Sequence, residues 1–273
     1  NDGVRNFNLR VLFIGDAYQL PPVNAGSMPV TSEHIPVSYL TEIMRAEKRR
    51  DLEEAYTAGR QMVIDDEGIY IPSASENITL VPHEGSKDYL AALLKHDSHT
   101  KVLAYTNKAV EGANSICRQL LGLPDDPQPG DILVAEEVVI VNTNRLAYIG
   151  QEFEVAEVED TTFLFNGEQI PAQNITTTDH VRFTRAKDPH VRQACLKHLA
   201  NVKDWKAYFR FKEIIADLRF THASTVHKSQ GSTYGNVLVM APNIMSCPGM
   251  NTRRRLLYVA YTRASQHLHV MTQ

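Results

Sequence analysis

Hydrophobic and polar positions follow two periods along this chain, and the change of period divides it. Short apolar runs at residues 9–14, 101–105 and 236–240 read as buried strands, and residues 37–43 and 77–81 read as further strands. Segments of helical spacing stand between them. Residues 48–61 place Leu52, Ala55 and Tyr56 on one face, with Met62 following; residues 86–95 read as a helix with Ser86 as its N-cap. A further helix runs from Asn107 to about Leu121, another spans 250–262, and residues 267–271 close the chain as a strand. Strand alternating with helix predicts a parallel sheet with crossover helices.

The middle of the chain behaves differently. Residues 122–130 hold Pro124, Pro127 and Pro129 beside Asp125 and Asp126, the composition of a linker. From 131 to 183 the apolar positions recur every second residue, in runs at 132–134, 138–141, 152–158 and 162–165. Turn residues at 142–144 and Asn166-Gly167 separate them, which predicts a small antiparallel barrel or sandwich inserted into the α/β part. Residues 182–212 then turn basic, with nine Lys and Arg against Asp188 and Asp204, and Trp205, Tyr208, Phe209 and Phe211 lie among them. Two readings stand here: a helix at 204–216 whose aromatics pack on the insertion, or a surface that stacks and neutralises a single strand of nucleic acid.

Composition narrows the class. The 273 residues are 43% apolar and 22% charged, enough for one large or two small globular domains. No apolar run approaches a membrane span, no signal peptide precedes the first strand, and no membrane partner is expected. Cys117, Cys195 and Cys247 lack metal-ligand spacing, so no metal site is expected and reduced thiols point to the cytoplasm. With a net charge of −4, any nucleic-acid contact must come from local basic patches.

Two polar stretches carry candidate chemistry. The first, Gly15-Asp-Ala-Tyr-Gln-Leu-Pro-Pro-Val23, sets a carboxylate and an amide just beyond an apolar run, where α/β sheets bind ligands, although a simple turn reads the same way. The second, residues 223–235, runs Ala-Ser-Thr-Val-His-Lys-Ser-Gln-Gly-Ser-Thr-Tyr-Gly between an alternating run at 217–221 and the strand at 236–240. None of its residues suits a core. Its hydroxyls, imidazole and ammonium suit phosphate oxygens, and Gly231 and Gly235 let backbone N–H groups approach a ligand; a solvated loop is the plainer alternative.

A third block, Leu256-Leu-Tyr-Val-Ala-Tyr-Thr-Arg-Ala264, follows in order, and the three together resemble motifs III, V and VI of superfamily 1 DNA helicases. The nearest branch is the 5′-to-3′ one that includes the bacterial RecD subunit and the phage helicase Dda. Leu40-Thr-Glu-Ile-Met-Arg45 resembles motif IV of that branch. Leu103-Ala-Tyr-Thr-Asn-Lys108 resembles its strand-to-helix turn on single-stranded DNA.

The resemblance implies an α/β fold with a RecA-like parallel sheet, helices on both faces, and an inserted SH3-like barrel. Residues 1–36 would end a first RecA-like domain, 37–124 and 214–273 would form a second, and 125–213 would be the insertion with its basic helical segment. It implies an ATP-dependent helicase moving 5′-to-3′ on single-stranded DNA. Arg45 and Arg263 would be arginine fingers, Gln19 a γ-phosphate sensor positioned by Asp16, and Gln230, Gly231 and Gly15 nucleotide contacts. Thr106, Asn107, Thr225, His227 and Lys228 would hold DNA.

The chain departs from the family in one respect. It has no Gly-x-x-x-x-Gly-Lys-Ser/Thr and no Asp-Glu pair closing a strand before the first block. By resemblance those parts, and with them most contacts to ATP and Mg²⁺, belong to an N-terminal RecA-like domain upstream of Asn1. The chain alone is then expected to be inactive, and its N-terminal strand to self-associate. A non-catalytic nucleic-acid-binding or partner-binding module of the same fold is the alternative.

Overall fold

The computed structural model describes residues 12, 14–21, 38–39, 46, 49–141 and 144–272. The elements begin with α1 (Arg50–Asp65), β1 (Ile78–Val81), α2 (Ser86–His96), β2 (Lys101–Ala104) and α3 (Asn107–Leu120). Six strands follow: β3 (Ile132–Ala135), β4 (Val139–Val141), β5 (Asn144–Ala147), β6 (Glu152–Phe165), β7 (Glu168–Thr177) and β8 (Arg182–Ala186). Then come α4 (Pro189–Asn201), α5 (Trp205–Ile214), β9 (Leu218–Phe220), β10 (Ala223–Thr225), β11 (Tyr234–Met240), α6 (Ala241–Met245), α7 (Met250–Tyr261) and β12 (Ala264–Met271). The described residues fall into two compact units. One is drawn from residues 1–89, 99–110 and 224–273, the other from 90–98 and 111–223.

The first unit is built on a five-stranded sheet in the order β1-β12-β11-β2-β10, with β12 parallel to β1 and β11, and β11 parallel to β2. Central β11 buries Val237, Leu238 and Val239 completely, as a strand covered on both faces must. Helix α1 turns Leu52, Ala55, Tyr56 and Met62 into the core that also takes Leu256, Leu257 and Tyr261 of α7. The Tyr56 hydroxyl donates to the Ala264 carbonyl at the start of β12.

Several expectations need correction. Ser86 is the first residue of α2 and does not cap it; Gly85, at φ 81°, precedes the helix. The run at 217–221 is β9, which joins the other unit's sheet. The strand that leads into the polar stretch is β10, from within the stretch itself. The strand expected at 9–14 falls mostly outside the described residues; Leu12 and Ile14 are described, lie in no strand and are exposed. The strand expected at 37–43 lies outside them too, apart from exposed Ser38 and Tyr39.

The second unit holds an antiparallel sheet in the order β8-β7-β6-β3-β9, and a separate β4-β5 hairpin. The ladder runs from β8 to β9, and a parallel bridge from Thr184 of β8 to Ile215, with the Ala216 N–H donating to the Thr184 carbonyl at 2.8 Å, ties the segment that leads into β9 back to β8. The runs at 152–158 and 162–165 are one strand, β6. Its register shifts between Val155 and Glu157, within the first run, while polar Glu159, Asp160 and Thr161 separate the two runs in the sequence. Asn166 and Gly167, at φ 49° and 85°, make the two-residue turn to β7, where both positions need a left-handed backbone.

Helix α4 was not predicted. Its start is legible, since Asp188 accepts from the His190 N–H at 2.8 Å and Pro189 opens the helix. Its buried face is led by a cation, Arg192, which meets Glu137 at 2.9 Å, Asp217 at 3.5 Å and the Ile215 carbonyl at 3.0 Å. No apolar period marks such a face. Among the described residues no helix is long and apolar enough to cross a membrane, and no group of three His, Cys, Asp or Glu could hold a metal. The three cysteines are free thiols.

One buried imidazole ties the first unit to pH. His269 of β12 meets the Tyr89 hydroxyl at 2.9 Å through Nδ1 and lies 5.9 Å from the His267 ring, stacked at 11°. Its Nε2 has no hydrogen-bond partner among the described residues. Burial, with the charge of His267 second, pushes its pKa down to about 4. The unfolded chain therefore takes up a proton before the folded one does. Stability held above the unfolded value, about 6.5, is lost as pH falls toward 4, by up to about 3 kcal/mol. Urea midpoints should drop over that window in the wild type and drop less in His269→Phe; equal slopes would place the sensitivity elsewhere.

Candidate functional site

The first unit brings three distant segments together around the turn at Asp16–Gln19. Asp16 organises that turn: its Oδ1 accepts from the Tyr18 N–H at 2.9 Å and its Oδ2 from the Gln19 amide at 3.1 Å. Leu20 behind it is buried in the core of the unit. From α7, Tyr258 donates its hydroxyl to Asp16 Oδ2 at 3.3 Å. Burial, helped by the Asp16 carboxylate, pushes that phenol up to about 12. One turn earlier on the same helix face, Arg255 donates to the carbonyls of Ala17 at 2.6 Å and Gln19 at 2.8 Å. From the polar stretch, the Gln230 amide donates to the Leu20 carbonyl at 3.3 Å. Arg60 of α1 lies over the Tyr18 ring at 4.8 Å. Gly15 is exposed beside this turn, and Arg45 lies outside the described residues.

The second cluster follows from the order of the sheet. Strands β2 and β10 are neighbours, so the segments that leave them are neighbours too. The Val226 N–H donates to the Ala104 carbonyl at 2.9 Å, and the rings of Tyr105 and His227 come within 6.3 Å. Asn243 of α6 clamps the β2 exit by accepting from the N–H groups of Tyr105 at 2.7 Å and Thr106 at 3.2 Å. Thr106 caps α3, its hydroxyl accepting from the Ala109 N–H at 3.2 Å. Asn107 and Lys228 are exposed at this edge, beside the N-terminal end of α3. Thr225 is buried and accepts from the Lys228 N–H; burial holds the His227 imidazole below its usual range, so it is neutral at pH 7.

The polar stretch is partly core, against expectation. Val226 and Ser229 have no exposed surface, and the Ser229 hydroxyl donates to the Val226 carbonyl at 2.9 Å. Gly231 ends the fold-over at φ 85°, with open space where a Cβ would stand.

The arginines of α7 are not a solvated patch. Arg253 donates to the Cys247 carbonyl, and Arg254 pairs with Asp66 at 2.6 Å and donates to the Gly68 carbonyl at 2.9 Å. Arg263 is wholly buried. Its guanidinium donates to the carbonyls of Val259 at 3.0 Å, Ser232 at 3.1 Å and Ser229 at 3.3 Å, and to the Thr262 hydroxyl at 2.9 Å. It therefore joins the end of α7 to the polar stretch. Tyr258, Arg255 and Asn243 were not singled out from the sequence. The signal for the first two was their i,i+3 spacing within and just before the third block; Asn243 carried none.

The donors at the Asp16–Gln19 turn are amides and guanidiniums, which fit anionic oxygens. They do not fit a divalent cation: Asp16 is engaged by three donors, and no carboxylate cluster accompanies it among the described residues.

Residues 220–271 match the family model of the UvrD-like helicase C-terminal domain, a span that holds the second and third blocks. The match is to that domain alone and leaves residues 1–219 outside it. Among solved structures the chain is similar to a Pif1 helicase from Candida albicans, at 14% identity over 85% of this chain and 55% of that one, with a TM-score of 0.40. It is also similar to a Pif1 helicase from Bacteroides in complex with ADP-AlF3 and ssDNA, at 14% identity, 85% and 51% coverage and a TM-score of 0.33. A third, Bacteroides Pif1 bound to ssDNA, gives 13% identity, 85% and 50% coverage and a TM-score of 0.34. The chain spans about half the length of these structures. No curated protein matches it.

Proposed function

We propose that this chain supplies the C-terminal part of an ATP-dependent DNA helicase that moves 5′-to-3′ on single-stranded DNA. The observation that carries this reading is the convergence on one turn of segments more than 200 residues apart, Gln230 on Leu20 and Arg255 and Tyr258 on residues 16–19. Those segments are the blocks that resemble motifs III, V and VI. In this reading ATP supplies the phosphoryl group when bound, and this chain's residues bind and orient it. Gln19, held by Asp16, senses the terminal phosphate; Gln230, Gly231 and Gly15 line the nucleotide; Arg45 and Arg263 stabilise charge. Thr106, Asn107, Thr225, His227 and Lys228 follow the DNA backbone.

The second reading, a non-catalytic binding module, is favoured by one observation: every nitrogen of Arg263 is already donating, mostly to backbone carbonyls, away from solvent.

The chain of 273 residues has no phosphate loop and should hydrolyse no ATP. It should bind a short single-stranded DNA weakly, with an affinity that falls steeply with salt. Lys228→Glu should weaken that binding about ten-fold at low salt, measured by anisotropy of a labelled oligonucleotide. A polypeptide that also carries a phosphate loop upstream should show DNA-stimulated ATPase and unwind duplexes with a 5′ overhang. Turnover by the chain alone, or unwinding only from a 3′ overhang, would overturn the motor reading, and wild-type binding by Lys228→Glu would remove the DNA edge.

A further inference from the structure

In the second unit, the aromatic residues of α5 divide into two sets. Phe211 is wholly buried and packs edge-on against Phe165, with ring centroids 4.9 Å apart. Trp205 and Phe209 are 52% and 58% exposed. Tyr208, half-buried between them, stands edge-on to both, at 5.7 Å and 5.4 Å. Core packing thus accounts for Phe211 and leaves the other two rings without a partner that covers them.

Cations flank these rings. Lys206 and Arg210, each one residue further along the helix, are exposed and make no ion pair among the described residues. They line a groove of about 280 Å³ with Phe163, Leu164, Asn166 and Asp204, while Phe209 on the neighbouring face lines a hollow with Glu137, Lys212 and Glu213. The one carboxylate on the helix is Glu213, and Asp204 at its start is used as the cap, accepting from the Ala207 N–H at 3.0 Å.

The geometry points to α5 as a binding site for single-stranded nucleic acid, separate from the edge at Asn107 and Lys228 and independent of the motor reading. Trp205 and Phe209 are four residues apart, an advance of about 6 Å along the helix. An unstacked strand covers that length in one nucleotide. Two successive bases therefore stack on the two rings while their phosphates meet Lys206 and Arg210, spaced by the same four residues. Stacking of this kind tolerates any base, because every base has a flat face. A protein partner would meet the same rings, but two unpaired cations in step with them fit a polyanion of regular repeat.

Trp205 is the only tryptophan of the chain, so its fluorescence reports this site alone. The full chain would be titrated with a dT 12-mer, an rU 12-mer and an abasic 12-mer of the same charge. Saturable quenching by the base-bearing strands, weaker at high salt and absent with the abasic strand, is the expected result; the dT and rU arms tell DNA from RNA. Lys206→Glu with Arg210→Glu keeps the tryptophan and should raise the quenching midpoint about ten-fold or more. Phe209→Ala should raise it about ten-fold. These positions are exposed, and circular dichroism checks that the variants fold. No quenching while a labelled dT 12-mer binds by anisotropy would overturn the site and leave the surface to a protein partner. Equal quenching by the abasic strand would remove the stacking. Lys228→Glu should not move the quenching midpoint, so failure here and failure of the DNA edge are read separately.

Discussion

Arg263→Ala should cost about 3–5 kcal/mol of folding stability, the range for emptying a large buried site and stranding its hydrogen-bond partners. The side chain has no exposed surface, and its removal leaves the carbonyls of Ser229 and Ser232 without the Arg263 donor. Those residues hold the polar stretch in place, so the loss reaches Gln230 and the Asp16–Gln19 turn as well as the core. In a polypeptide that carries the phosphate loop, the same change should lower DNA-stimulated turnover by about 10³-fold or more if Arg263 acts as an arginine finger. Urea unfolding and single-turnover hydrolysis separate the two effects. A large drop in midpoint with hydrolysis near wild type in the folded fraction would make Arg263 a structural tie only. Loss of hydrolysis with an unchanged midpoint would show that the buried arrangement is not the one present in solution.

The second large effect is expected at Arg118 in the other unit. Its guanidinium is 1% exposed, lies 3.7 Å over the Phe220 ring, and pairs with Asp131 at 2.9 Å. It also donates to the carbonyls of Pro124 at 2.7 Å and Asp126 at 3.1 Å. Arg118→Ala leaves a buried carboxylate without its cation and should cost about 3–5 kcal/mol. The pair Arg118→Met and Asp131→Asn should recover part of that, since it removes both charges. Thermal melting of the three proteins is the check; a single mutant as stable as the wild type would mean that Asp131 finds solvent. The proline-rich segment 122–130 is consequently no loose linker, because Arg118 fastens its carbonyls to the end of α3.

How much of this was legible in the chain differs element by element. Helices α1 and α3 were, because each buries one apolar stripe at helical spacing, and strands β1, β2 and β11 and the end of α7 were, because each is a short, largely apolar run. Helix α4 was not, because Arg192 leads its buried face and a cation leaves no hydrophobic trace. Strand β6 reads as two runs because Glu159, Asp160 and Thr161 interrupt its apolar positions, and the bridge from Thr184 to Ile215 joins segments about 30 residues apart, which strand count cannot reveal. At the site, Asp16 and Gln19 could be named as a carboxylate and an amide beyond an apolar run, and Gln230 and the 256–264 block from the family resemblance.

By itself the sequence determined the local chemistry: most of the strands and helices, which loop is polar, where the candidate donors lie, and that no phosphate loop is among them. Only the tertiary structure decided which donors are spent. Arg263 and Arg254 look alike as exposed helix arginines in the chain, yet one is wholly buried on carbonyls and the other is paired with Asp66. Trp205 and Phe211 look alike as aromatics on one helix, yet one is a free face and the other is core. The physical reason is the same in both cases. Periodicity records the preference of a residue within its own element, whereas its partner is set by contacts across tens to hundreds of residues, which depend on sheet order and helix packing.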